Sequence, residues 1–439
     1  MLVSRRKFYL SGSDWGINAV DYLMKRRLGA GNVCQLVLLL KSPVSEELLG
    51  KHLNRFMKKF PLLQGRIARD FKLTPYWKIP ASMKMDATLT VSQLHENATD
   101  SELFELLQRS ANSPFCHDKE YLDFHLFNSS GRSALAIRFD HRLFDGRGIE
   151  SFMSLFQDSL ADDSISGDIS FESSMELSDW KSKFMAGRNL NRRFIEFSES
   201  TPRSFPLDPA QSMGFRCRQL CFDKAETAAI YEKAYREAGY LMESPFLLAA
   251  ITSAINDLFA ARGSSEGEFY LVPVTVDARP GRKPLQEIFF NRMSYLFYRI
   301  PVEEAADIRN ITVLLKQQMY EQVKSGFPKD MSEASLLARI LPLRIYGKLL
   351  HLPVKGKIAT FAFSHLGKSF YRHEMFMESQ VENLFHMPRV PFPPGIGLFS
   401  NLYNGRLNLA ISYLDGIITE AELDRLERAI RVNTGAVAQ

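Results

Sequence analysis

The sequence predicts an α/β protein of two mixed lobes, each a sheet with flanking helices, and three observations carry that prediction. The chain has 439 residues, and at roughly 150 residues per domain it is too long for one small module. Strand and helix patterns alternate in both halves. Between them, from Ala161 to about Gly214, the composition turns to Asp, Ser, Asn and Arg with Pro202, Pro206 and Pro209, as in a crossover between lobes. This gives an N-terminal lobe at 1–165, a crossover linker at 166–204 and a C-terminal lobe at 205–439.

In the first lobe, Asp14 to Arg27 reads as a helix. Asn32 to Leu40 is a near-continuous apolar run, the pattern of a strand covered on both faces. Ser45 is placed to cap a helix whose Leu48, Leu49, Phe56 and Met57 supply apolar contacts and which ends near Phe60-Pro61. A second helix runs from about Asp100 to Ala111. Two strands, Tyr121 to Phe127 and Ser133 to Phe139, flank the turn cluster Asn128-Ser129-Ser130-Gly131 as a hairpin. The crossover keeps one short amphipathic piece, Trp180 to Phe184. The second lobe reads as strand Phe215 to Phe222, helices Ala225 to Gly239 and Ser244 to Arg262, strands Glu268 to Val276 and Arg292 to Ile300, and a helix near Ile308 to Val323. Asn404-Gly405 then joins Gly397-Leu402 to Arg406-Tyr413, the dipeptide of a two-residue type I′ hairpin.

Composition narrows the function. With 45% hydrophobic and 24% charged residues the chain can bury a large core, and its 33 Phe either thicken that core or line a channel for a greasy ligand. A net charge of +5, with basic residues scattered in short groups such as Arg5-Arg6-Lys7 and Lys25-Arg26-Arg27, argues against nucleic acid, and Arg282-Lys283 reads as part of a solvated loop. The four cysteines, at 34, 116, 217 and 221, suit neither a disulfide framework nor a metal knuckle, and read as reduced, mostly buried thiols. His117, His125 and His365 have no metal-ligand spacing, so no metal site is expected. No run reaches the length of a membrane span and no leader pattern is present, so a cytoplasmic protein without a transmembrane segment is expected.

One segment concentrates chemistry: Phe139-Asp140-His141-Arg142-Leu143-Phe144-Asp145-Gly146-Arg147-Gly148. A strand delivers it, and Ile149, Phe152, Met153, Phe156 and Leu160 follow at helical spacing. His141 is thus held at a strand end and projected towards a cleft, as a general base is mounted, with Asp145 close enough to share its surroundings. Gly146 and Gly148 leave room for a tight turn and a close approach. Taken alone, HxxxDG is a weak pattern, and a strand-end histidine is often structural. Its position between strand and helix, in a chain with two mixed halves, favours catalysis.

That segment and the order of elements around it resemble the chloramphenicol acetyltransferase-like acyltransferase superfamily, which includes peptide-synthetase condensation domains, plant-type BAHD acyltransferases and wax ester synthase-like enzymes. Other stretches are similar to that family more diffusely: Phe60-Pro61-Leu62-Leu63-Gln64-Gly65-Arg66, Ser113-Pro114-Phe115 with Tyr121 to Leu126, Val276-Asp277-Ala278-Arg279, Phe290-Asn291-Arg292-Met293-Ser294, and Phe363-Ser364-His365-Leu366-Gly367. The resemblance spans nearly the whole chain, but only the His141 motif is specific. Two departures stand out. Asp140 occupies the place of the first histidine of condensation domains, and the plant-type DFGWG signature is absent.

The resemblance implies two condensation-type lobes with an active-site tunnel between them, complete within one chain and hence monomeric. It implies transfer of an acyl group from coenzyme A or an acyl carrier protein's phosphopantetheine to a small-molecule acceptor. An alcohol acceptor of lipophilic character is the first reading and an amine the second. His141 would be the base. Asp145 would shape the site through an ion pair with Arg279, beside Gly146. Ser364, Asn291 and Ser294 are candidates for holding substrate or oxyanion. No bound cofactor or metal is implied beyond the thioester co-substrate. A non-catalytic carrier- or ligand-binding module is the reading from another class.

Overall fold

The structure is a computed structural model, and it describes residues 7–95, 97–117, 120–162, 180–198, 200–206, 214–263, 266–279, 288–351 and 359–436. The first half builds β1 (Lys7–Tyr9), α1 (Gly12–Leu28), β2 (Val33–Leu40), α2 (Glu46–Met57), β3 (Arg66–Arg69), β4 (Pro75–Lys78), β5 (Leu89–Gln93), α3 (Asp100–Asn112), β6 (Leu122–Asn128), β7 (Ser133–Asp140) and α4 (Gly146–Ala161). α5 (Trp180–Ser198) follows. The second half builds β8 (Phe215–Phe222), α6 (Lys224–Ala238), α7 (Glu243–Ala261), β9 (Phe269–Asp277), β10 (Met293–Pro301), α8 (Ile308–Lys324), α9 (Phe327–Ala338) and α10 (Leu343–His351). It ends with β11 (Ala362–Lys368), β12 (Met375–Phe376), β13 (Ser379–Met387), β14 (Ile396–Tyr403), β15 (Arg406–Leu414) and α11 (Glu420–Thr434).

Two six-stranded sheets result, in the orders β12-β13-β2-β7-β6-β5 and β10-β9-β11-β14-β15-β8, beside a small sheet β1-β4-β3. The apolar run expected to be covered on both faces is β2, central in the first sheet between β7 and β13. Ser45 caps α2 by accepting from the Leu48 amide. The Asn404-Gly405 turn has φ of 46° and 76°, both positive, which is why an Asn-Gly pair suits this hairpin.

The Phe-rich composition has a packing explanation. Phe56, Phe60, Phe144, Phe152, Phe156 and Phe289 form one network of edge-on and tilted ring contacts under α2 and α4, at centroid separations from 5.0 to 6.0 Å. Each buried ring contributes about 1.5–3 kcal/mol. The network locks α4, and with it the turn before α4, to the first sheet. α7 is the one helix among the described residues long and apolar enough to cross a membrane, and 67% of its apolar window is buried inside the protein.

Three features differ from the sequence reading. The crossover contains a 19-residue helix, α5, where only Trp180 to Phe184 looked amphipathic. Its Ala186 and Leu190 are buried and its Phe194 and Phe197 pack beside Leu190 against Phe297 and Phe327, but the exposed Trp180, Phe184, Met185 and Ile195 blur that inward stripe in the sequence. Cys116 and Cys221 are exposed, so only Cys34 and Cys217 are buried, although all four are free thiols. Finally, β12 and β13 lie within the 205–439 span but join the first sheet, with Leu384 opposite Leu38 on β2. Register between distant strands is set by tertiary packing, which local pattern does not encode.

β13 is therefore the strap between lobes. Asn401 on β14 and Asn408 on β15 both donate to the Leu384 carbonyl at 3.0 Å. Asn383 and Asn408 exchange amide hydrogen bonds of 2.8 and 3.1 Å, fully buried. Because an unpaired buried amide costs about 1–3 kcal/mol, Asn383→Ala is expected to lower the unfolding free energy by that amount, read as a lower urea midpoint at an unchanged m-value. An unchanged midpoint would show that the pair contributes nothing to lobe docking.

Candidate active site

Every residue of β7 is buried, so the strand delivers the chain rigidly to its end. The His141 amide donates to the Asn32 carbonyl at 3.0 Å, and the amides of Leu143 and Phe144 turn back onto the Asp140 carbonyl at 2.9 and 3.3 Å. His141 therefore sits in a closed turn between β7 and α4. The second lobe is stitched onto this turn. Phe290 donates its amide to the Leu143 carbonyl at 2.6 Å, and Phe144 and Phe290 form a short bridge.

Asp145 is the N-cap of α4. Its Oδ1 accepts from the Gly148 amide at 2.8 Å and from Arg279 Nη2 at 2.6 Å, while Oδ2 accepts from the Arg292 amide at 3.0 Å. One buried carboxylate thus ties the helix start to both ends of the β9–β10 connection. Burial alone would lower the Arg279 pKa, but Asp145 and then Asp277 outweigh it and raise it. The pair continues outward: Arg279 reaches Asp277 at 3.1 Å, and Asp277 reaches Arg147, whose guanidinium also donates to the Leu366 carbonyl and lies over the Phe370 ring. Residues 282 and 283 lie outside the described residues.

The two motif glycines differ in need. A Cβ at 148 would stand 2.2 Å from the Ile288 carbonyl oxygen, a clash with backbone that cannot move aside. At 146 it would meet only the tip of Leu366, at 3.0 Å. The close approach therefore falls on Gly148 more than on Gly146.

Asn291 is brought to the site in a particular role. Its side-chain amide donates to the His141 carbonyl at 2.9 Å, and its backbone amide donates to Asp14 Oδ1 at 2.9 Å. Asp14 itself closes the capping box of α1, and burial, offset in part by these hydrogen bonds, raises its pKa. Asn291 thus fixes the turn. Ser364, on β11, accepts from the Thr275 hydroxyl on β9 at 2.6 Å. Ser294 stands on β10 opposite Val276. No hydrogen bond joins His141 to either serine among the described residues.

Among the described residues, His141 Nδ1 is sealed from solvent and meets no hydrogen-bond partner, although the residue as a whole is only half-buried.

Two histidine arrangements escaped the sequence. Glu150, fully buried on α4, meets His386 Nε2 on β13 at 2.8 Å and accepts the Phe370 amide at 2.7 Å. A Glu one turn into a helix reads as solvent-facing, so no signal pointed to it. His365 hydrogen-bonds Ser400 through Nδ1 at 2.8 Å, and burial, with a smaller contribution from Arg147, lowers its pKa to about 4. Among the described residues no group of three His, Cys, Asp or Glu side chains could hold a metal ion. One cavity of about 420 Å³ is lined by residues such as Arg262, Ile417 and Glu422, none of them from the motif.

Asp145→Ala leaves Arg279 buried without its main partner and uncaps α4, so a loss of about 3–5 kcal/mol is expected in denaturant melts; a loss below 1 kcal/mol would contradict the pairing. His365 makes a second prediction. The folded imidazole resists protonation down to about pH 4, whereas the unfolded one takes a proton near the ordinary histidine value of 6.5. Its contribution is fully present above pH 6.5 and is lost as pH falls towards 4. Urea melts of His365→Gln across that range should lose stability less steeply on acidification than wild type.

No protein-family model matches the chain, and no curated protein does. Solved structures do. The trichothecene 15-O-acetyltransferase TRI3 from Fusarium sporotrichioides superposes with a TM-score of 0.71 at 14% identity, over 98% of this chain and 94% of that one. The first condensation domain of the calcium-dependent antibiotic synthetase gives 0.72 at 14% identity, over 99% and 97%. The condensation domain of the monacolin K polyketide synthase MokA gives 0.64 at 11% identity, over 98% and 97%. Over nearly its whole length, then, this chain has the two-lobed fold that these three structures share.

Proposed function

We propose that the protein transfers an acyl group from a thioester, on coenzyme A or an acyl carrier protein, to the hydroxyl of a small acceptor, with His141 as general base. The observation that supports this reading is His141 itself, half-buried where the two lobes meet, on a turn whose backbone is fixed from both sides. Nε2 takes the proton of the acceptor O–H as its oxygen attacks the thioester carbonyl. The tetrahedral intermediate expels the thiolate as the C–S bond breaks, and the imidazolium returns the proton to sulfur. An imidazole suits both halves of that exchange. Ser364, whose oxygen already accepts from Thr275, keeps its own proton to offer the oxyanion. Bringing both substrates to one junction supplies much of the remaining rate. The chemistry calls for no bound cofactor or metal.

An amine acceptor is the second reading, supported by the likeness to condensation domains. The name of the trichothecene acetyltransferase supports the first. The test incubates purified protein with acyl-coenzyme A and acyl-phosphopantetheine thioesters and a pool of alcohols and amines, following free thiol and acylated product by mass spectrometry. Wild type should form product, and folded His141→Ala should be slower by about 10²–10⁴-fold. Equal rates would remove His141 as the base. Silence from both proteins, with binding retained, would favour the non-catalytic module.

A further inference from the structure

The residues flanking His141 form an ion pair across it. Asp140 Oδ1 accepts from the Arg142 amide and from Arg142 Nε, both at 2.9 Å, and Oδ2 accepts from Arg142 Nη2 at 2.6 Å. Asp140 is only 1% exposed. Burial alone would raise its pKa, but Arg142 outweighs burial and holds it below the ordinary value. The pair belongs to a longer circuit. Arg142 Nε lies 3.3 Å from Asp21 Oδ2 on α1, Asp21 Oδ1 accepts the Asn32 amide at 3.0 Å, and the Asn32 carbonyl accepts the His141 amide at 3.0 Å. Lys25 adds a second cation to Asp21 at 2.9 Å. The circuit leaves from residue 142 and returns to the backbone of residue 141.

A histidine base is commonly oriented by a carboxylate or carbonyl on its second nitrogen. Among the described residues Nδ1 has no such partner, while the backbone N–H and C=O of His141 are both engaged. We infer that Asp140 and Arg142 are positioning residues for His141, orienting its imidazole through the turn that their ion pair closes rather than through a hydrogen bond to the ring. Asp140 thus gives a structural account of the position where condensation domains carry a histidine. The inference rests on the reading of His141 as base, and its test separates the two.

The intact chain, with ¹³C-labelled histidine, is compared as wild type, Asp140→Asn, Arg142→Gln and Arg142→Lys, reading His141 titration by NMR and, separately, thioester turnover. The other charged and titratable groups around the turn, Asp14, Asp21, Lys25, Tyr121, Asp145, Arg279 and Arg292, are the same in all four. Asp140→Asn removes one anion beside His141 and leaves the Arg142 cation with Asp21 as its remaining partner, so the His141 titration should move to lower pH. Arg142→Gln leaves the anion, so it should move to higher pH. In both, kcat should fall by about ten- to a hundred-fold with KM within two-fold, and Arg142→Lys, which keeps the charge and folds as a control, should recover part of kcat. Opposite titration shifts in a protein without turnover would uphold the positioning role and remove the base reading. Unchanged titration and unchanged kcat, or shifts of the same sign, would overturn it.

Discussion

The site depends on one buried carboxylate. Asp145 gathers the start of α4, the guanidinium at the end of β9 and the amide just before β10, so a single anion fixes where the two lobes meet. The packing is arranged around that constraint. The Phe network sets α4 on the first sheet, Gly148 lets the Ile288 backbone come close, and Asn291 carries the same alignment to the carbonyl of His141. Remove the anion and the three segments have no common partner. Hence the shaping residue of the motif has a structural duty at least as large as any effect on chemistry.

Much of this was legible in the sequence. The strand, turn and helix around His141, the capped α2, the hairpin at Asn404-Gly405 and the Asp145–Arg279 pairing all follow from local pattern or from the resemblance that the motif carries. What was not legible depends on long-range arrangement. Nothing in Ser379 to Met387 says that the strand will leave its neighbours in sequence and join β2. Glu150 carries no mark of a buried partner, since only the fold brings β13 over α4. Asn291 was a candidate for holding substrate; its amide instead holds the turn, because the Asp14 cap of α1 stands beside it. The helix in the crossover escaped because exposed apolar residues such as Phe184 and Ile195 blur its inward stripe.

Two features of the ring shape the mechanism. Among the described residues no hydrogen bond joins the His141 ring to a hydroxyl or thiol, which leaves the proposed base without the protein nucleophile that a covalent acyl-enzyme needs. Its orientation rests on its own backbone and on the ions to either side of it, a rigid mounting for a ring whose second nitrogen is unpartnered. Both features suit a base that serves an incoming acceptor and lets acyl transfer occur in one site between two bound substrates.

That claim is tested most directly by intact-protein mass spectrometry of the wild-type chain with an acyl thioester, before and after addition of an acceptor. The account predicts no change in the mass of the protein with thioester alone, and thiol release that begins only when acceptor is added. A mass increase equal to the acyl group, with a stoichiometric burst of thiol before any acceptor is present, would contradict it.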